Sequence, residues 1–385
     1  MTLASHIVPY RPTGAYILAQ CGVKLQVAIL TVSSGVKKDL MPSTIRKMTF
    51  PAINLLGSPN WSDYELLDSG KGQKLERFGE YIFIRPEVQA LWDKSLPPAR
   101  WEAAHATFQP SGEESGGHWA FKKKVAKKWE MGYDLDLTPG PSPKRRGGLG
   151  FYAMTTPGRH LGVFPEGAAH WDWISALIHH RVHGERGEDK KDSASSVGSM
   201  VNVLNLFGYT GLATLAAACA GARVTHVDAS KKAITWAREN QTLSGLDGRP
   251  IRWIVEDALK FVQREARRGV KYDGILLDPP KFGRGPKGEV WEVFKSLPDL
   301  LAACRDVLSE KPLFVALTVY AVKTSALHLY SALEEMMKGL GGKLECGELV
   351  TQERSGGRLL SQAVFARWEA EEHRDPRGLR RRPTE

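Results

Sequence analysis

From residue 201 to residue 368 the chain alternates short apolar runs with longer segments of helical character. That alternation constrains the fold more than any other feature. Runs at 201–206, 224–228, 251–255, 272–278 and 313–319 have strand length and are rich in Val, Ile and Leu. Between them, 212–219, 231–243, 261–268, 297–308 and 326–340 read as helices. Regular β-α-β order implies a mainly parallel sheet covered on both faces, wound by right-handed crossovers. The last two runs, 343–350 and 360–368, have no helix between them and should pair antiparallel. The expected fold is therefore α/β and doubly wound, seven-stranded, with one reversed strand near an edge.

Upstream, 61–92 alternates apolar and polar residues between glycine turns, with runs at 64–68, 74–78 and 81–85. This predicts a small antiparallel sheet. Pro-, Gly- and Ser-rich stretches at 110–118 and 138–150 should be loops. Residues 183–199 are charged, small and polar, and read as a disordered insertion. The expected organisation is an N-terminal extension over 1–55 and a β-rich module over 56–150. A main domain over 151–370, interrupted at 183–199, and a basic tail over 371–385 follow.

The formal charge of +10 is unevenly placed. Residues 1–50 hold six Lys or Arg against one acid, Asp39, so half the excess lies there. With many Ser and Thr this is the composition of an organelle-targeting presequence. The expectation is a mitochondrial protein if 1–50 is a presequence, and a cytoplasmic one otherwise. The remaining body carries about +5, which is weak evidence for a nucleic-acid partner. A lysine cluster, Lys122, Lys123, Lys124, Lys127 and Lys128, reads either as a solvated face or as a nucleic-acid contact. No apolar run reaches the ~18–20 residues that cross a bilayer. The four cysteines, Cys21, Cys219, Cys304 and Cys346, are too scattered for a zinc site or a disulfide framework.

In an open α/β sheet, ligands bind beyond the C-terminal strand ends. Three ends carry chemistry here. After the first strand comes 204-LNLFGYTGLATLAA-217, where Gly208 and Gly211 allow a tight turn and close approach of a ligand. The helix that follows offers its positive N-terminus. The third glycine of the dinucleotide pattern is absent, which disfavours a dehydrogenase. Asp228 ends the second strand and can accept both hydroxyls of a ribose, or cap the next helix. Glu256-Asp257-Ala258 follows the third strand and can read an adenine edge, with Asp257 also a candidate cap. A ribose acid and an adenine reader without a phosphate-binding G-K-[ST] point to an adenosine ligand that is not a triphosphate. S-adenosylmethionine fits.

The fourth strand stops at 275-ILLDPPKFGRGPKGEVW-291. Asp278 is placed beside the predicted methyl donor, and Pro279-Pro280 fixes the backbone with little entropy to lose. Carbonyls held at this corner can accept a hydrogen bond from a substrate amine. Phe282 can stack on a base, and Lys281, Arg284 and Lys287 can hold phosphates.

With these motifs, 152–368 resembles a class I S-adenosylmethionine-dependent methyltransferase of the Rossmann-like kind. It is most similar to the bacterial 23S ribosomal RNA methyltransferase group, whose motifs resemble NLFGYTG and LDPPKF. The segment 159-RHLGVFPEGAAHW-171 resembles that group's lead-in to the cofactor site, with Glu166 where an Asp is usual. Residues 61–100 resemble the group's small β-rich module, and no clear match to its RNA-binding PUA module is present. The resemblance implies that Phe164, Glu166, Asn205, Phe207, Gly208, Thr210 and Gly211 surround the cofactor, with Asp228, Ser230 and Asn240. It implies the same for Glu256, Asp257, Ala258 and Asp278. Asp278, Pro279, Pro280 and Phe282 then form the catalytic corner, although Lys281 is inserted before the aromatic relative to the amino-methyltransferase pattern. Members that methylate carbon-5 of cytosine carry a cysteine after the fifth strand, where this chain reads Thr318-Val319-Tyr320. A base nitrogen of RNA is thus the expected acceptor. A protein or small-molecule methyltransferase, or a noncatalytic RNA-binding protein of the same fold, are the alternatives. A Rossmann oxidoreductase is the weakest reading.

Overall fold

The computed structural model describes residues 50–58, 61–111, 116–136, 146–183, 200–320 and 322–371. All but the last residue of the expected 1–50 targeting segment, the 184–199 part of the expected insertion and all but the first residue of the basic tail lie outside them. The described residues from Pro51 onward form one compact unit.

The strand β1 (Ile53–Leu56) comes first. It was expected to belong to an extension; instead it lies parallel to a late strand, Ile53 opposite Cys346 and Leu56 opposite Leu349, and adds an eighth strand to the main sheet. A four-residue run with exposed Ile53 and Leu55 has no amphipathic signature, so only the partner strand reveals it.

The β-rich module holds β2 (Tyr64–Gly70), β3 (Gln73–Phe78) and β4 (Tyr81–Pro86), then a one-turn helix α1 (Pro98–Glu102), β5 (Ala106–Pro110) and β6 (Gly117–Phe121). These five strands pair in chain order, antiparallel except for a short parallel β4–β5 contact. The stretches expected as loops are strand at their edges: Pro110 ends β5, Gly117 and His118 begin β6, and 146–150 begin β8. The hairpin β7 (Trp129–Asp136) with β8 (Arg146–Ala153) follows. Its glycines suit close packing: a Cβ on Gly150 would sit 2.9 Å from the Leu243 carbonyl oxygen. An aromatic cluster of Trp61, Tyr64, Tyr133, Phe151 and Trp171 joins the module to the main domain.

A 3-10 turn over Pro165–Gly167 leads into α2 (Ala168–His183), a helix the sequence pattern did not announce. The alternating series then runs β9 (Asn202–Leu206), α3 (Leu212–Cys219), β10 (Arg223–Asp228), α4 (Lys231–Leu243), β11 (Ile251–Val255), α5 (Ala258–Arg267) and β12 (Gly274–Leu277). A small hairpin, β13 (Phe282–Arg284) with β14 (Val290–Glu292), precedes α6 (Val293–Asp306). The chain ends with β15 (Phe314–Tyr320), α7 (Ala326–Met336), β16 (Lys343–Gln352) and β17 (Leu359–Glu369).

The main sheet has the order β1-β16-β17-β15-β12-β9-β10-β11. Only β17 is reversed, antiparallel to both β15 and β16, as the absence of a helix before it required. Side chains alternate between two cores. Val203, Leu276, Phe314 and Ala316 pack on the α2–α3 face, whereas Leu204, Leu206, Ile275, Leu277, Val315 and Leu317 pack on the α5–α6–α7 face. The chain moves outward from β9 to β11 and then returns to β12 on the other side of β9. That reversal opens a crevice beyond the C-terminal ends of β9, β10 and β12, where ligands of such sheets bind. No helix among the described residues is long and apolar enough to cross a membrane.

Candidate active site

Two cavities meet in this crevice. The larger, about 400 Å³, is lined by Asp228, Ala229 and Ser230 after β10, by Glu256, Asp257 and Ala258 after β11, and by Asp278, Pro280, Arg284 and Trp291 beyond β12. The smaller, about 90 Å³, lies deeper and is lined by Asn205, Gly208, Thr210, His170, Thr318 and Asp278 among others. Phe164, Phe207, Tyr209, Asp278 and Tyr320 border both.

The loop after β9 builds the wall between them. Phe207 and Tyr209 hold positive φ, at 58° and 48°, which costs non-glycine residues energy. The Tyr209 amide donates to Asp228 Oδ2 at 2.9 Å and fixes this geometry. Gly208 has an ordinary φ, but a Cβ there would meet His226 Cε1 at 2.4 Å. Gly211 does hold positive φ, 85°, and its missing side chain makes room for Ala237 of α4. The glycines were expected to make room for a ligand. They also let the loop pack on His226 and α4, and Gly208 borders the smaller cavity. Beneath the loop, Asn205 Nδ2 donates to Thr214 Oγ1 at 2.9 Å, and Thr214 Oγ1 lies 2.9 Å from His226 Nδ1.

Asp228 accepts the amides of Tyr209 and Ser230, one on each oxygen, at 2.9 and 2.7 Å. Each carboxylate oxygen keeps a second lone pair, so two ribose hydroxyls can still be received. Burial raises its pKa while the two amides oppose the rise. Ser230, not Asp228, caps α4, accepting from the Ala233 amide. Asp257 caps α5 through the Lys260 amide at 3.0 Å, and Glu256 pairs with Arg264. Both still border the larger cavity.

Asp278 is the most perturbed acid in the crevice. Its Oδ1 is sealed from solvent and has no hydrogen-bond partner. Burial pushes its pKa up to about 8, and the neighbouring Glu166 carboxylate adds to the push. Glu166, in the 3-10 turn, is itself buried and raised by burial, with Lys74 and Arg85 of the module opposing. Behind Asp278, Trp291 Nε1 donates to the Pro280 carbonyl at 2.7 Å, so that carbonyl already has a donor. Trp291 also packs on Phe207, ring centroids 4.8 Å apart.

Several expected site residues lie elsewhere. Asn240 is wholly buried, and its amide ties the Tyr152 amide to the Thr210 carbonyl, both at 2.9 Å. It braces the loop from behind and borders neither cavity. Thr210 borders the smaller cavity, but its hydroxyl is turned to the Gly162 carbonyl at 2.7 Å. Pro279 is buried outside both cavities. Phe282 is 57% exposed on the outer face of the β13–β14 hairpin, with the Lys281 ammonium 5.1 Å from its ring centre. Arg284 reaches the larger cavity, whereas Lys287 does not.

Residues that sequence reasoning missed complete the walls. His160 faces the larger cavity and lies 3.2 Å from the Tyr209 hydroxyl, with burial holding its pKa at about 4. His170 lines the smaller cavity with both ring nitrogens buried and unpartnered. Tyr320 packs tilted against Phe164, centroids 5.1 Å apart. The segment 159–171 held the signal for the two histidines, but only the packing of α2 on the sheet turns His170 inward. Of the described cysteines, Cys304 and Cys346 are buried and Cys219 half-buried, and none borders either cavity.

The crevice thus brings together the acid after β10, the polar residues after β11 and the acid-proline corner after β12. The solved structure of the SAM-dependent methyltransferase from Agrobacterium tumefaciens is 44% identical, with a TM-score of 0.71 over 84% of this chain and 96% of that one. The chain belongs to the S-adenosylmethionine-dependent methyltransferases. Residues 192–295 also match the family model described as Conserved hypothetical protein 95. Similar curated proteins include the Ribosomal RNA large subunit methyltransferase K/L of Shewanella frigidimarina, 39% identical over 24% of this chain. The Ribosomal RNA large subunit methyltransferase I of Aeromonas salmonicida is 38% identical over 21% of it. The matched segments span 13% and 18% of those proteins.

Proposed function

We propose that the chain transfers a methyl group to a base nitrogen of RNA, ribosomal RNA in particular. The carrying observation is Asp278: a half-buried residue whose Oδ1 is sealed and unpartnered, bordering both cavities and backed by a rigid proline corner. The names of the curated relatives support RNA as the acceptor class.

The residues present fit S-adenosylmethionine. The larger cavity has room for an adenosine, with Asp228 at the ribose and Glu256, Asp257 and Ala258 at the base. Phe164, Asn205, Phe207 and Gly208, with Glu166 behind them, border the deeper end. When bound, the cofactor supplies an electrophilic methyl on a sulfonium. Asp278 does the rest of the polar work at the corner. Its free oxygen accepts a hydrogen bond from the acceptor amine and orients the nitrogen lone pair; in the ionised form, which predominates only above about pH 8, it also takes the proton that the nitrogen sheds as its new bond to carbon forms. With the Pro280 carbonyl held by Trp291, the side chain of Asp278 is better suited to this role than that carbonyl. The apolar walls of Phe164, Phe207 and Tyr320 keep water from competing for the methyl group. Among the described residues no cysteine borders either cavity, which favours nitrogen over carbon-5 of cytosine, an acceptor that needs a thiolate nucleophile.

The test compares modified nucleosides in ribosomal RNA from cells with and without the gene. An N-methylated nucleoside that disappears with the gene supports the reading. Identical nucleoside profiles would reject it.

A further inference from the structure

The lysine cluster of the β-rich module is left unused by the site chemistry. It lies in the loop between β6 and β7, and its backbone is fixed. The amides of Lys122 and Lys123 both donate to the His105 carbonyl, at 2.8 and 3.1 Å, and Val125 packs on the core. Two of the five ammonium groups are engaged: Lys123 with the Ala103 carbonyl at 2.6 Å, and Lys128 with Glu239 of α4 at 3.0 Å. Lys122, Lys124 and Lys127 are exposed and have no ion pair among the described residues. No acid occurs from Gly116 to Trp129. A rigid loop that holds like charges together without counter-charges is unfavourable by itself and favourable beside a polyanion.

The loop is also tied to the crevice. Trp119, on the strand that leads into it, donates to the Thr156 carbonyl at 2.8 Å. Thr156 in turn donates to the His160 carbonyl at 2.8 Å, and His160 faces the larger cavity. Exposed Arg159 stands on this connecting segment, and Arg284 stands on the cavity wall.

We infer that Lys122, Lys124 and Lys127 form a phosphate-binding track that holds single-stranded RNA against the module and leads it to the crevice. The inference rests on the RNA reading. A strand laid on this track gains phosphate contacts that carry no sequence information, and base selection is left to the crevice.

The experiment uses the full chain and a fluorescein-labelled single-stranded RNA oligonucleotide, with binding followed by anisotropy across a potassium chloride series. Lys122→Ala/Lys124→Ala/Lys127→Ala should make the slope of log Kd against log salt shallower by about 2, from roughly 0.7 per lost phosphate contact. Affinity at low salt should fall by about tenfold or more, and the triple Lys→Arg variant should restore it. S-adenosylhomocysteine affinity, measured by calorimetry, should be the same in all three proteins. Parallel salt lines for the wild type and the triple Ala variant would overturn the track while leaving RNA as the acceptor. A wild-type protein that binds no RNA at any salt would overturn the RNA reading itself. Lysine-dependent binding to phosphatidylglycerol vesicles without binding to RNA would instead make the loop a membrane contact and overturn the track.

Discussion

The Tyr209 amide and the Asp228 carboxylate are joined by a 2.9 Å hydrogen bond that links the ends of two neighbouring strands. One acid thereby holds a strained loop in place and presents its remaining lone pairs to the cavity. Asp228→Ala should weaken S-adenosylhomocysteine binding by about 1.5–3 kcal/mol, the scale of charged hydrogen bonds. Calorimetry on the folded variant checks this, and unchanged affinity would reject the ribose assignment.

Asp278 makes the ligand-free protein pH-sensitive. Its folded pKa of about 8 lies above the ordinary carboxyl value of 3.8. Between these values the folded chain holds a proton that the unfolded chain releases, so this group's contribution to stability falls as pH rises. Asp278→Asn removes the titration. Without ligand, the variant should melt at a higher temperature than the wild type near about pH 8.5, with the gap shrinking toward about pH 5. A constant gap across a thermal-shift series would contradict the sealed, unpartnered carboxyl oxygen.

Gly208→Ala tests the loop's packing. The added methyl would sit 2.4 Å from His226 Cε1, and His226 is fully buried against Trp253 and Thr214. Overpacking of this kind costs about 1–3 kcal/mol. Urea denaturation should show that loss, and cofactor affinity should fall with it because the loop cannot keep its place.

Phe282 and Trp291 belong to opposite faces of one hairpin and should separate substrate from cofactor. Phe282→Ala should raise the KM for RNA by the worth of one stacked base, ~1–3 kcal/mol, and leave S-adenosylhomocysteine affinity unchanged. Trp291→Phe removes the donor to the Pro280 carbonyl and should weaken cofactor binding by about 1 kcal/mol. Steady-state kinetics and calorimetry on the two variants decide it. The reverse pattern would mean that the outer face of the hairpin does not meet substrate.

The strand-end acids were legible in the sequence because period and punctuation locate strand ends without any tertiary knowledge. Asp228 and Asp278 both border the cavity as that rule requires. The single reversed strand followed equally from the missing helix between β16 and β17. What the sequence hid depends on distant partners. Ile53–Leu56 is a strand only because β16 offers it an edge. The glycine-rich β8 reads as a loop until its partner β7 and the neighbouring helix α4 are in place. Asn240 lies near the crevice in a sequence template, yet its amide is consumed in bracing the Thr210 carbonyl. His170 lies on a helix the sequence did not announce, and only the packing of α2 turns it toward the smaller cavity.

Methyl transfer to an RNA base nitrogen at the Asp278 corner is tested most directly with purified protein. Unmodified large-subunit ribosomal RNA is incubated with the protein and S-adenosylmethionine, digested to nucleosides and examined by mass spectrometry. The account predicts one N-methylated nucleoside, present with the wild type and lost with Asp278→Ala. A 5-methylcytidine product, or RNA that stays unmodified while Asp278→Ala matches the wild type on another acceptor, would contradict it.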